Sequence, residues 1–118
     1  MKTYAPVTAA VLDALKAALG ADYVWTEPEK LEQYQTDEET DPRKFHLPEV
    51  VVAPADAQEI AAVVKLANQY NVPVTVRGGG TSLADGAIPV CGGIVLLMER
   101  LNKILELNAE GMYMEVEA

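Results

Sequence analysis

The apolar positions along the chain alternate between helical and extended spacing. Val7, Val11, Leu12, Leu15 and Leu19 recur at helical intervals and predict a helix over about Pro6 to Ala18, with Gly20 as its C-terminal cap. Pro6 suits the first turn of such a helix, which reads as a surface cap carrying no chemistry. Tyr23-Val24-Trp25 is a short apolar patch expected to pack under a neighbouring element, and Pro28 to Gln35 a short helix with Leu31 and Tyr34 inward. Val50-Val51-Val52 breaks the helical rhythm. A strand over Glu49 to Ala53 that is apolar on both faces belongs in a covered parallel sheet, and Pro54 ends it. Ile60, Val63, Val64, Ala67 and Tyr70 return to helical spacing after a capping box made by Asp56 and Glu59, and Asn71 closes that helix. Pro73-Val74-Thr75-Val76 and Ile94 to Met98 then read as two more buried strands.

Strand, helix and strand over Glu49 to Val76 make a βαβ unit, whose crossover should be right-handed. Beyond Arg100 and Lys103, Ile104 to Leu107 extends again, Asn108-Ala109-Glu110-Gly111 has hairpin-turn chemistry, and Met112 to Ala118 alternates as a half-buried strand. Met112, Met114 and Val116 then share one face, with Glu115 and Glu117 opposite. The fold class is therefore α/β (α+β in its full context). It is a small, mostly parallel sheet with flanking helices and a C-terminal β-hairpin.

The chemistry gathers where the second of these strands ends, in Arg77-Gly78-Gly79-Gly80-Thr81-Ser82-Leu83-Ala84-Asp85-Gly86-Ala87. Consecutive glycines permit positive φ and close approach of a ligand to the backbone, and successive N–H groups can converge on an anion such as phosphate. Thr81 and Ser82 add hydroxyls and Arg77 a positive charge. A P-loop would need a lysine directly after the glycines, and none follows until Lys103. A Rossmann fingerprint would need a helix opening there, which Gly86 and Pro89 prevent. Carboxyl ends of strands are where open α/β sheets bind ligands.

Charge and composition narrow the picture. The 118 residues allow one small domain, and 50% hydrophobic content supports a packed core. A net charge of -9 argues against a nucleic-acid surface, but not against one dinucleotide held by local N–H groups. Cys91 is the only cysteine, which fits a reducing cytoplasm and a small buried side chain without redox function. With His46 the only histidine, no metal site can be assembled. Thr36 to Lys44 is acidic, breaks at Pro42 and reads as a solvated loop. No apolar run approaches the length of a membrane helix.

Arg77-Gly78-Gly79-Gly80-Thr81-Ser82-Leu83, then Gly86-Ala87, Pro89 and Gly92-Gly93-Ile94-Val95-Leu96, resemble the FAD-linked oxidase family. Its FAD-binding domain is of the para-cresol methylhydroxylase type, found in glycolate oxidase FAD subunits and D-lactate dehydrogenases. Val52-Ala53-Pro54 with Glu59-Ile60, the run Arg100 to Glu106, and Tyr34 with Asp37 are similar to other segments of the family. The resemblance spans Leu31 to the last residue. Residues 1–47 read as an N-terminal helical cap segment, and the resemblance implies the first part of the FAD-binding domain over residues 48–118. It further implies FAD as cofactor and a parent reaction on a 2-hydroxy acid such as glycolate or D-lactate. Gly78, Gly79, Gly80, Thr81 and Ser82 would contact the pyrophosphate, Gly86 and Ala87 would line the other side, and Pro54 would bound the adenosine end. Covalent-flavin relatives place a histidine where Thr81 stands, so the flavin should be non-covalent. Asp85 departs from the pattern, a small residue being usual there, and an acid so placed repels phosphate unless it points away.

The later parts of that family carry the substrate and catalytic groups, so the chain is expected to hold no complete active site and to bind FAD weakly or not at all by itself. The parent is expected in the cytoplasm, with a possible peripheral contact to the membrane. Two other readings stay open: a nucleotide-binding module without redox chemistry, and an association fragment with an empty loop. The C-terminal hairpin, with an open edge and an apolar face, is expected to form a homo-oligomer.

Overall fold

A computed structural model describes residues 3–118. Its main sheet has four strands in the order β1-β2-β4-β3, from β1 (Val24–Trp25), β2 (Val50–Val52), β3 (Val74–Arg77) and β4 (Ile94–Leu97). The last three are parallel, and β1 joins β2 antiparallel with Val24 opposite Val52. Helices α1 (Ala9–Leu19), α2 (Pro28–Glu32) and α3 (Ala57–Tyr70) flank the sheet. Strands β5 (Ile104–Asn108) and β6 (Tyr113–Val116) form a separate antiparallel hairpin. The α/β class, mostly parallel sheet and terminal hairpin are as the periodicity predicts.

Each strand of the sheet sends alternate residues to opposite faces, and both faces are covered. On one, Val50, Val52, Ile94 and Leu96 pack with Val11, Leu15 and Leu19 of α1 and Val63 and Ala67 of α3. On the other, Val51, Ala53, Val95 and Leu97 meet Trp25, Leu31 and Tyr34. Double coverage explains why β2 and β4 are apolar at every position and fully buried. No helix among the described residues is long and apolar enough to cross a membrane.

Several expectations need correction. Helix α1 begins at Ala9, not Pro6, because the Thr8 hydroxyl accepts from the Val11 amide and sets the cap there. Its apolar stripe makes it a core helix as much as a surface one. Tyr23-Val24-Trp25 contains a strand, since two residues suffice to extend the sheet on the free edge of β2. Helix α2 stops at Glu32, short of Gln35, but Leu31 and Tyr34 do turn inward. Val64 is 41% exposed and lies off the buried stripe of α3. Glu59 reaches back to the Ala55 amide (2.6 Å) and not to that of Asp56, while Asp56 caps the Glu59 amide (2.9 Å).

Strand β3 is an edge and not a buried strand, with Val76 57% exposed, because β4 inserts between β2 and β3. Both faces of β6 are exposed, as are most of β5's side chains, and the two strands pair only with each other. A register shift between Ile104 and Glu106 also breaks simple alternation across the hairpin. Cys91 is exposed, in the turn leading into β4.

Candidate functional site

Because β2, β3 and β4 are parallel, Ala53-Pro54, Gly78–Gly80 and Met98 all follow carboxyl ends on one side of the sheet. Leu97 pairs with Arg77, and the Met98 amide donates to the Arg77 carbonyl (2.9 Å), so β4 lies between Pro54 and the glycine loop.

The loop is built from two kinds of glycine. At Gly80 φ is +70°, and a Cβ there would fall 2.2 Å from the Arg77 guanidinium folded beneath it. Glycine at this position is required by the protein's own backbone. Gly78 and Gly79 have no positive φ; a Cβ on the first would meet nothing within 4 Å and on the second only Thr81, at 3.9 Å. Nothing in the fold demands glycine at those two positions. Both are exposed, and the backbone N–H groups from Gly78 to Leu83 have no acceptor among the described residues. Space without side chains, lined by available donors, fits the pyrophosphate of a dinucleotide.

Ser82 organises the far side of the loop. Its hydroxyl accepts from the amides of Ala84 (3.2 Å) and Gly86 (3.4 Å), leaving its own proton for another acceptor. Thr81 is exposed beside Gly79, and Gly86 is exposed as well. Ala87 is 7% exposed and Pro54 is fully buried, so these two shape the surroundings without presenting a side chain. Arg100 braces the backbone just before Pro54. Arg100 donates to the Ala53 carbonyl (2.9 Å), lies 3.5 Å over the Tyr23 ring and stands 3.9 Å from Glu59.

The segment 36–46 is not a free solvated loop, because it forms the floor of the glycine loop. Arg77 donates to the Thr36 carbonyl (2.6 Å) with its guanidinium carbon 5.3 Å from the centre of the Tyr34 ring. The Glu38 amide donates to the Ser82 carbonyl (3.4 Å). Lys44 bonds Glu39 and reaches the Asp85 carboxylate at 3.2 Å, so the unexpected acid of the loop is paired. Lys44 holds the Glu39 carboxyl below the usual glutamate range and is itself held strongly protonated by Glu39 and Asp85. The Arg43 guanidinium lowers Asp41 in the same way, and Asp41 raises Arg43 in return. One oxygen of Asp37, Oδ2, is buried with no hydrogen-bond partner among the described residues. Thr36 and Lys44 escaped sequence reasoning because each acts across a long sequence separation, with only polar character and nearness to the Tyr34 and Asp37 segment to hint at a role; Arg100 heads a run similar to a family segment, but its reach to Ala53 has no signal in the sequence.

The chain is similar to several known proteins. A glycolate oxidase subunit of Bacillus subtilis is 36% identical over 76 residues, covering 64% of this chain and 16% of that protein. A D-lactate dehydrogenase of Archaeoglobus fulgidus is 46% identical over 61 residues, covering 52% of this chain and 14% of that protein. The chain thus spans about one sixth of the length of these curated relatives. The crystal structure of p-cresol methylhydroxylase with substrate bound superposes with a TM-score of 0.74 at 25% identity, covering 86% of this chain and 20% of that one. Residues 48–118, which include the whole glycine loop, match the profile of the family described as FAD binding domain, and the chain belongs to that family, with FAD as the family's cofactor.

Proposed function

We propose that the loop after β3 holds the pyrophosphate and ADP side of FAD within an oxidoreductase acting on a 2-hydroxy acid such as glycolate or D-lactate. One observation carries this reading: Gly78 and Gly79 are glycine without any internal steric or backbone reason. Gly78, Gly79, Gly80, Thr81 and Ser82 supply N–H and hydroxyl donors to the two phosphates. Gly86 and Ala87 close the other side, and buried Pro54 sets the adenosine end by fixing the backbone around it. Thr81 stands where covalent-flavin relatives place a histidine, which supports a cofactor held non-covalently. FAD, when bound, supplies the two-electron acceptor, and the protein supplies placement and electrostatics. The two relatives named above support the substrate class. Residues 48–118 act as the first part of the FAD-binding domain, with residues 1–47 as a cap segment whose α1 shares its core. The reading places the parent in the cytoplasm.

The test is an NMR titration of the chain with FAD and with ADP, beside Gly79→Val. The amides of Gly78 to Leu83 should shift in the wild type and stay still in the variant. Equal shifts in both would remove the loop as the site.

The hairpin is proposed to associate with a second copy of the chain. Ile104, Leu107, Met112, Met114 and Val116 are all more than half exposed, and both outer edges of the pair are open. Light scattering should show a dimer for the full chain and a monomer for a chain ending at Asn108. A full-length monomer at high concentration with an ordered hairpin would overturn this.

A further inference from the structure

We propose that Lys44 is a positioning residue for the anion site, pinning the glycine loop to the 36–46 segment and offsetting part of the charge of Asp85; this rests on the reading of that loop as a pyrophosphate site. Asp85 sits inside the loop at φ +58°, a left-handed conformation that aspartate tolerates better than most residues. Its carboxylate would otherwise add negative charge to a site meant for an anion, in a chain already at -9. Lys44 is the cation that meets it, at 3.2 Å, although the two lie 41 residues apart. The same ammonium bonds Glu39, the more sheltered acid of the two, whose side chain is 18% exposed against 35% for Asp85. Lys44 is thereby anchored on the floor and reaches up to the loop. The Glu38-to-Ser82 backbone bond runs beside this bridge and joins the same two segments.

A bridge whose lysine is 50% exposed adds little to stability. Its effect falls on the charge that an incoming phosphate meets, because charges in one small loop interact at short range with incomplete screening. Asp85 thus becomes tolerable where a small residue would otherwise serve, provided that Lys44 stays in place. Arg77 cannot substitute for it, being directed to Thr36 and packed under Gly80.

The experiment titrates the 118-residue chain with inorganic pyrophosphate and with ADP, following the amides of Gly78 to Leu83 by NMR. Lys44→Ala should weaken pyrophosphate binding on the order of five- to tenfold. Lys44→Arg should preserve binding, and Asp85→Ala should leave it equal or tighter. The double variant Lys44→Ala, Asp85→Ala should return to within about twofold of wild type, which a purely structural role for Lys44 would not produce. An unchanged Lys44→Ala overturns the proposal. So does a double variant as weak as Lys44→Ala, since Lys44 would then contact the phosphate directly. A ligand-free measurement separates this inference from the reading beneath it. Amide exchange at Glu38 should be faster in Lys44→Ala and restored in Lys44→Arg, and unchanged exchange would overturn the pin. If no amide of the wild-type loop responds to either ligand, the pyrophosphate reading fails while the exchange result still decides the pin.

Discussion

Glycines stand at both ends of the parallel strands: Gly78–Gly80 after β3, and Gly92–Gly93 before β4. At the amino end, a Cβ on Gly93 would lie 2.4 Å from the Pro73 carbonyl oxygen, at φ +71°. The Gly93 amide donates to the Glu49 carboxylate (2.8 Å), and its carbonyl accepts from the Glu49 and Val50 amides. Glu49 also accepts from the Val7 amide (3.0 Å), tying the N-terminal segment to the same corner. Every reason for glycine there lies inside the protein. At the carboxyl end, only Gly80 has an internal reason, and Gly78 and Gly79 face open space. Identical residues therefore do different work, and the surrounding backbone tells which is which.

Substitutions can break this contrast, ranked by their expected effect on thermal stability. Gly93→Ala should cost about 3 kcal/mol, because a rigid backbone oxygen cannot yield as a side chain can. Scanning calorimetry should then show a fall of roughly 10–15 °C. A loss under about 1 kcal/mol would mean that the corner relaxes easily. Gly80→Ala should cost about 1–2 kcal/mol, from the left-handed φ and the displacement of Arg77 from Thr36. Its neighbour atoms belong to a flexible side chain, so it should remain milder than Gly93→Ala. The opposite ranking would invert the assignment of the two ends.

Acidification should have a smaller effect, confined to the floor of the loop. Glu39 and Asp41 are both held below their ordinary values of 4.5 and 3.8, by Lys44 and Arg43 respectively. A carboxyl lowered in the folded state contributes stability above its unfolded value and loses it as pH falls through the folded one. Amide protection at Glu38 and Thr40, taken relative to the intrinsic exchange rate at each pH, should thus fall below about pH 4, ahead of the sheet. Simultaneous loss of β2 and β4 protection would show that these pairs hold more than the loop. Smallest of all is Gly79→Val, which should keep the melting temperature within about 2 °C while removing the dinucleotide response. A large drop in melting temperature would show an internal role for Gly79 that the geometry does not contain.

The elements were legible because their causes are local. Val50-Val51-Val52 and Ile94 to Leu97 are apolar at every position, and the helical stripes announce α1 and α3 through three- and four-residue spacing. The tri-glycine, its hydroxyls and its linked motifs are local too, and they carry the family. The two-residue β1 was too short to show a period. Thr36 to Lys44 reads as solvated in sequence because its ties to the glycine loop, from Arg77 to Thr36, from Glu38 to Ser82 and from Lys44 to Asp85, exist only in three dimensions. Cys91 looked buried by residue type, while its turn places it outside.

What the sequence by itself determined is the strand and helix order, the glycine loop at a strand end and the family, since each depends on neighbours within a few positions. Only the tertiary structure decided that β4 enters between β2 and β3, making β3 an edge and placing Met98 between Pro54 and the loop. Strand order follows from which apolar faces bury together, and periodicity carries no information about partners. Tertiary structure also decided which glycines are empty by necessity and which face open space, because that depends on atoms such as the Pro73 oxygen and the Arg77 guanidinium. The bonds from Lys44 to Asp85 and from Arg77 to Thr36 each span 41 residues, so their geometry exists only once the sheet has brought both ends together.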